Sequence, residues 1–243
     1  MVTKNQIKFI SNLHQKKFRI EHHLFVAEGK KVIHELLDSG FKLHHLYELK
    51  PIFTAVEAEL KTQITELELQ KMSALVTAND CLAIFEIPLL KGLPQKGLIV
   101  ALDDIRDPGN LGTIVRLCDW FGIQKMVCSM QTVDVFNPKV VQATMGSIGR
   151  VEVVYTDLAL FLKSSKLPVY GTFLNGENIY KSVLPSDAIV VFGNEANGIC
   201  MDIEAVIKNR LSVPRFGDLQ ATESLNVATA TAIVLSEFRR SFL

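Results

Sequence analysis

Short apolar runs recur through the later part of this chain, at Leu98 to Leu102, Lys125 to Ser129, Val151 to Val154, Val169 to Phe173 and Ala188 to Phe192. Between them lie stretches with helical spacing. In Asn110 to Phe121 the apolar residues Leu111, Ile114, Val115, Cys118 and Phe121 share one face, which leaves Thr113, Arg116 and Asp119 outside it. Pro138 to Met145 reads as a helix with Asn137 as its cap and proline in its first turn. Leu158 to Lys163 follows Asp157, and a last helix runs from the Ser224 region to about Arg239. Strands this short and apolar, separated by helices, predict an α/β fold with a mostly parallel sheet covered on both faces. Ligands of such sheets bind beyond the carboxyl ends of the strands.

The rhythm changes once, across Pro88 to Gly97, where two prolines and two glycines can continue neither a helix nor a central strand. This divides the chain into an N-terminal domain, 1–90, a linker, 91–97, and a larger domain, 98–243. All six histidines precede Leu46, and basic residues outnumber acidic ones over the first fifty residues. Within that stretch Lys16, Lys17, Phe18 and Arg19 suit phosphate contacts and base stacking on looped RNA. A solvated amphipathic helix is the plainer reading of the same residues. The net charge is zero, so no global field draws the protein to nucleic acid and any such binding rests on local patches. Cys81, Cys118, Cys128 and Cys200 form no paired motif, which points to buried free thiols rather than zinc. Neither a signal-like N-terminus nor a membrane-length apolar run is present, and the expectation is a cytoplasmic protein.

The candidate chemistry lies in three polar clusters. The first predicted strand leads into Asp103-Asp104-Ile105-Arg106-Asp107-Pro108-Gly109-Asn110, which lacks the glycine cradle of a dinucleotide site, and no phosphate-loop string occurs. The first cluster, Asn110 to Arg116, opens a helix whose free amides face the strand ends. Alternatively, Arg116 only pairs with Asp119 on the surface. A second cluster, Phe192-Gly193-Asn194-Glu195-Ala196-Asn197-Gly198, follows a fully apolar strand and places a carboxylate at its end. Otherwise it is a solvated turn. The third joins Leu211-Ser212-Val213-Pro214 to Ser224-Leu225-Asn226-Val227. Thr222 and Ser224 are the candidate caps of the last helix, and capping by them leaves Asn226 inside the first turn unexplained.

In this order the clusters resemble the three motifs of the SpoU (TrmH) family of RNA ribose 2'-O-methyltransferases, in the SPOUT superfamily. The resemblance implies an α/β catalytic domain whose C-terminal segment is tied in a trefoil knot, pairing as a homodimer. It implies S-adenosylmethionine as methyl donor and ribosomal RNA as substrate, ahead of transfer RNA, with no DNA, metal or membrane partner. By the same resemblance Asn110, Arg116, Glu195, Ser224 and Asn226 are the catalytic set, and Thr172, Gly193, Leu211, Val213 and Leu225 hold the cofactor. The N-terminal stretch is similar to the small α/β substrate-binding domain that many of these enzymes carry. The chain departs from the usual pattern at Ala196, where glycine is common, at Ala228, where serine is frequent, and in a longer 215–223 loop. A non-catalytic RNA-binding module would keep the basic segment without needing the ordered polar set.

Overall fold

The computed structural model describes residues 2–89, 92–216 and 224–240. In chain order the elements begin α1 (Lys4–Asn12), α2 (Lys16–His22), β1 (Leu24–Glu28), α3 (Lys30–Asp38), β2 (Leu43–Glu48), β3 (Lys61–Gln63), α4 (Glu66–Met72) and β4 (Cys81–Glu86). They continue with β5 (Leu98–Leu102), α5 (Pro108–Trp120), β6 (Lys125–Ser129), α6 (Pro138–Thr144), β7 (Glu152–Thr156) and α7 (Leu158–Ser164). The last are β8 (Val169–Asn178), β9 (Ala188–Phe192), α8 (Met201–Glu204), β10 (Asn209–Ser212) and α9 (Val227–Arg240). Among the described residues no helix is long and apolar enough to cross a membrane.

Two compact units result. One comprises residues 1–89 together with 134–150, the other 90–133 together with 151–243. The sequence boundary near residue 90 therefore separates the chain once, whereas packing also takes the α6 segment out of the larger interval.

In the first unit the sheet order is β1-β4-β2-β3, with β4 antiparallel to both neighbours and β2 parallel to β3. Ile10, Leu13, Val26, Leu69, Met72, Leu82 and Ile84 pack together as its core. Thr3 with Gln6, and Thr65 with Glu68, form capping boxes at the starts of α1 and α4. Arg19 is the largest fully buried side chain, 2% exposed. Its Nε donates to Asp134 Oδ2 at 2.9 Å, a terminal nitrogen pairs with the same oxygen, and the other caps the carbonyls of Leu13 and His14 at 2.9 and 2.8 Å. The α6 segment is thus held by a buried charge pair, by Phe136 against Phe25 (4.7 Å between ring centroids), and by Arg150 on Glu35. This corrects the assignment of Arg19 to RNA binding, because its donors are already committed to the protein. Phe18 likewise packs against the core, with Lys17 over its ring at 5.4 Å.

The second unit holds six strands, ordered β10-β8-β9-β5-β6-β7, and every pairing is parallel. All residues of β5 and β9 are buried, as central strands covered on both faces require. Ile99, Ala101, Val127, Ile189 and Val191 pack with Phe161 and Leu162 of α7 and Ile203 of α8. Strand β8 is longer than its apolar run. Its register against β10 passes from Gly171↔Arg210 to Glu177↔Leu211, so 172–176 leave the ladder. A Cβ on Gly176 would lie 2.5 Å from the Leu211 carbonyl carbon, so no other residue allows this return. Three cysteines, Cys81, Cys118 and Cys128, are buried free thiols, and burial pushes Cys81 up to about 12. Cys200 is exposed, against expectation, because it stands at the start of the short α8.

Removing one partner of a buried, hydrogen-bonded ion pair strands the other. Arg19→Ala is expected to lower unfolding free energy by about 3 kcal/mol or more in urea titrations, while Lys17→Ala changes it by less than about 1 kcal/mol.

Candidate functional site

The site is built where β5 and β9 end. Asp103, 4% exposed, accepts from the Cys200 N–H at 2.8 Å. Asp104 follows with φ +55°, a left-handed conformation that aspartate tolerates better than most side chains. Its N–H donates to Ser129 Oγ (2.9 Å), its carbonyl accepts from Asn194 Nδ2 (2.8 Å), and its carboxylate takes Arg106 through two bonds of 2.8 Å. These contacts hold the loop that delivers Asp107 to the N-cap of α5, where it accepts from the Asn110 N–H at 2.7 Å. Asp103 and Asn194 were not singled out for this role in the sequence. Their only local signals are the Asp103-Asp104 pair after one buried strand and the Gly193-Asn194 turn after another.

The loop after β9 closes on itself. Asn194 and Gly198 exchange backbone hydrogen bonds of 3.0 and 2.8 Å, and Asn194 Oδ1 accepts from the N–H groups of Ala196 and Asn197. A Cβ on Gly193 would lie 2.3 Å from the Gly198 carbonyl carbon. The loop places its positive φ at Gly198, +69°, and not at Ala196, so alanine at 196 is compatible with this backbone.

The third cluster arrives with α9. Asn226 Oδ1 accepts from the N–H groups of Ala228 (3.0 Å) and Thr229 (3.2 Å), which makes Asn226 itself the N-cap. The expected cap Thr222 lies outside the described residues, and Ser224 makes no hydrogen bond with a described residue. Helices α5 and α9 run side by side in the same direction. Asn226 Nδ2 donates to Asn110 Oδ1 at 2.9 Å at one end, and Arg239 Nε donates to the Phe121 carbonyl at 2.9 Å at the other. Asn110 Nδ2 then donates to Glu195 Oε1 at 2.6 Å. One residue from each cluster thus joins a continuous chain, Asn226, Asn110, Glu195.

The other expected residues surround it. Arg116 is exposed on α5 and, among the described residues, has no hydrogen bond or ion pair, so the Asp119 pairing is absent. Thr172 Oγ1 donates to the Val191 carbonyl at 3.1 Å where β8 leaves its ladder. Leu211 is buried in β10, Val213 follows that strand, and Leu225 is 47% exposed just before α9. The peptide groups of Val213 and Leu225 make no hydrogen bond with a described residue. Gly193 and Val213 therefore follow the carboxyl ends of β9 and β10, and Thr172 lies where β8, between those strands, leaves its ladder.

Residues 97–236 match the SpoU rRNA Methylase family, and residues 4–83 match the MRM3-like substrate binding domain. The chain is 30% identical to the 23S rRNA (guanosine(2553)-2'-O)-methyltransferase RlmP of Bacillus subtilis, over 97% of each chain. It is 32% identical to the 23S rRNA (guanosine-2'-O-)-methyltransferase RlmB of Neisseria meningitidis, over 63% of this chain and 62% of that one. Among solved structures, a TrmH-family protein from Porphyromonas gingivalis superposes with a TM-score of 0.89 at 37% identity, covering 99% of both chains. The AdoMet-bound rRNA methyltransferase from Sinorhizobium meliloti gives 0.88 at 30% identity, covering 100% of this chain and 97% of that one.

The closed loop after β9 has a direct test. Gly193→Ala must displace the Gly198 backbone and is expected to cost about 1–3 kcal/mol in thermal unfolding, whereas Ala196→Gly should shift stability by no more than about 1 kcal/mol.

Proposed function

Because the chain belongs to the SpoU rRNA methylase family, we propose that it transfers the methyl group of S-adenosylmethionine to a ribose 2'-hydroxyl of RNA, with ribosomal RNA as substrate. The observation that carries this reading is the hydrogen-bonded chain Asn226, Asn110, Glu195, formed from all three clusters, with Asn110 on the same helix as an exposed Arg116 that has no partner among the described residues. A structural helix pair would not need it. Ribosomal RNA is favoured over transfer RNA by the relative that matches along nearly the whole chain and is named for 23S rRNA.

The residues present fit the donor. Peptide groups of Val213 and Leu225 with no partner among the described residues, with the half-exposed Leu225 side chain beside them, offer hydrogen bonds and an apolar surface suited to the edge and face of an adenine. Thr172, Gly193, Leu211, Val213 and Leu225 would hold it. When bound, S-adenosylmethionine supplies an electrophilic methyl group on a positively charged sulfur. The protein's part is to position the hydroxyl and to stabilise its oxygen as it loses a proton. Arg116 supplies a planar guanidinium charge beside the developing alkoxide and the neighbouring phosphate. Ser224 precedes α9 beside Asn226 and, with no hydrogen bond to a described residue, would meet the nucleotide. A 2'-hydroxyl exists only in RNA, so DNA is not a substrate. With Arg19 withdrawn, Lys16 and Lys17 on the exposed side of α2 carry the proposed phosphate contacts.

The same reading extends to assembly. The chain leaves the edge strand β10 and returns to pack α9 on α5, the helix that follows the interior strand β5, a path compatible with a C-terminal trefoil knot. Trp120, 84% exposed at the end of α5, supports a homodimer. The protein would work in the cytoplasm.

Purified protein with labelled S-adenosylmethionine should methylate ribosomal RNA, with the product resistant to alkaline cleavage at the modified ribose. Methylation confined to transfer RNA would replace the substrate assignment, and no transfer to either would overturn the proposal. Arg116→Ala should lower the rate by about a hundredfold or more while calorimetry gives unchanged cofactor affinity. Arg116→Lys should recover part of it without a new pH dependence. For the basic segment, Lys16→Ala and Lys17→Ala should each reduce the slope of RNA affinity against salt by about one. Filter binding across salt concentrations measures this, and unchanged slopes would return α2 to a structural role.

A further inference from the structure

The bonds joining Asn226, Asn110 and Glu195 have a direction, and the start of α9 sets it. Backbone N–H groups only donate, so the atom facing Ala228 and Thr229 is Asn226 Oδ1. Asn226 therefore turns Nδ2 to Asn110, which answers with Oδ1, and Asn110 is left to present Nδ2 to Glu195 Oε1. Reversing any one amide would set oxygen against oxygen or N–H against N–H. The backbone N–H of Asn110 is already taken by Asp107, so its side chain alone carries the connection.

We propose, on the functional reading above, that Asn110 and Asn226 are positioning residues rather than groups that touch the substrate. They form a one-way relay from the N-terminus of α9 to Glu195. Glu195 is its terminal acceptor, with Oε1 engaged and Oε2 presented to the ribose hydroxyl. Oε2 has no partner among the described residues. The relay begins at the positive end of a 14-residue helix, and each amide passes that polarity on toward the carboxylate. Glu195 and Asn226 are exposed and Asn110 is half-buried, so water competes with the relay until bound RNA and cofactor exclude it. Its effect should therefore appear in kcat more than in stability.

The discriminating variant is Asn226→Asp. An aspartate caps as well as asparagine, so α9 remains capped and the melting temperature is expected to stay within a few degrees of wild type. It has no N–H to give, so Asn110 must reverse and set its oxygen against Glu195. The expected result is a fall in kcat for RNA methylation of about tenfold or more, with KM for the RNA little changed. Glu195→Gln supplies the rescue test, because a glutamine can donate to a reversed Asn110. In the Asn226→Asp background, Glu195→Gln should cost no further activity, although it slows the otherwise wild-type enzyme. Wild-type kcat in Asn226→Asp, or losses that simply multiply in the double variant, would overturn the relay. If the unaltered protein methylates no RNA, the functional reading fails by itself. The relay is then decided by the crystal structure of Asn226→Asp: loss of the Asn110–Glu195 hydrogen bond supports it, and an unchanged bond overturns it.

Discussion

A single hydrogen bond, from Asn226 Nδ2 to Asn110 Oδ1 at 2.9 Å, links residues 116 positions apart and brings the three polar clusters to one place. It can form only because α5 and α9 lie side by side in the same direction with their N-termini level. That alignment in turn rests on the parallel sheet beneath α5, whose central strands β5 and β9 are fully buried. Each helix start is capped by a side chain that also serves the site. Asp107 fixes the backbone of Asn110, and Asn226 caps α9 while holding the Asn110 side chain. Capping, usually worth about 1 kcal/mol to a helix, here also sets the orientation of a carboxylate on a third element.

The loops that complete the site are held from behind by groups that do not face it. Asn194 bonds forward to its own loop and back to the Asp104 carbonyl, and Asp103 reaches the Cys200 N–H from inside the sheet. Asp104 keeps its left-handed backbone because its N–H, carbonyl and carboxylate are all satisfied. Rigid support of this kind lets Arg116, Ser224 and Glu195 Oε2 stand without a partner among the described residues while the segments that carry them stay fixed.

Arg19 shows how charge in a sequence can mislead. In the run Lys16-Lys17-Phe18-Arg19 all three cations look alike, but one helical turn separates an exposed face from a buried one. Arginine tolerates burial when its planar fork is filled, and Asp134 with the Leu13 and His14 carbonyls fills it here. The partner lies 115 residues away, in a segment that falls between strands of the larger sheet in sequence but packs in the same unit as Arg19. No local pattern carries that information.

The sequence by itself determined the parallel architecture, because fully buried strands must be apolar on both faces and their connecting helices amphipathic on one. It also singled out Asn110, Glu195 and Asn226, which the fold joins by hydrogen bonds, because polar side chains at strand and helix ends have no part in an apolar core. It left β10 and the four strands of the first unit unread, because short or mixed strands carry too few residues for a clear alternation, and it gave β8 only its apolar half. What only the tertiary structure decided are the partners. These include Arg19 with Asp134, the capping role of Asn226 in place of Ser224, and the register jump of β8 against β10. Periodicity reports which face of an element is buried, but a hydrogen-bond partner is fixed only when distant elements meet. The direction of the Asn226, Asn110, Glu195 chain is settled there too, by backbone donors that every sequence possesses and only a folded helix end exposes.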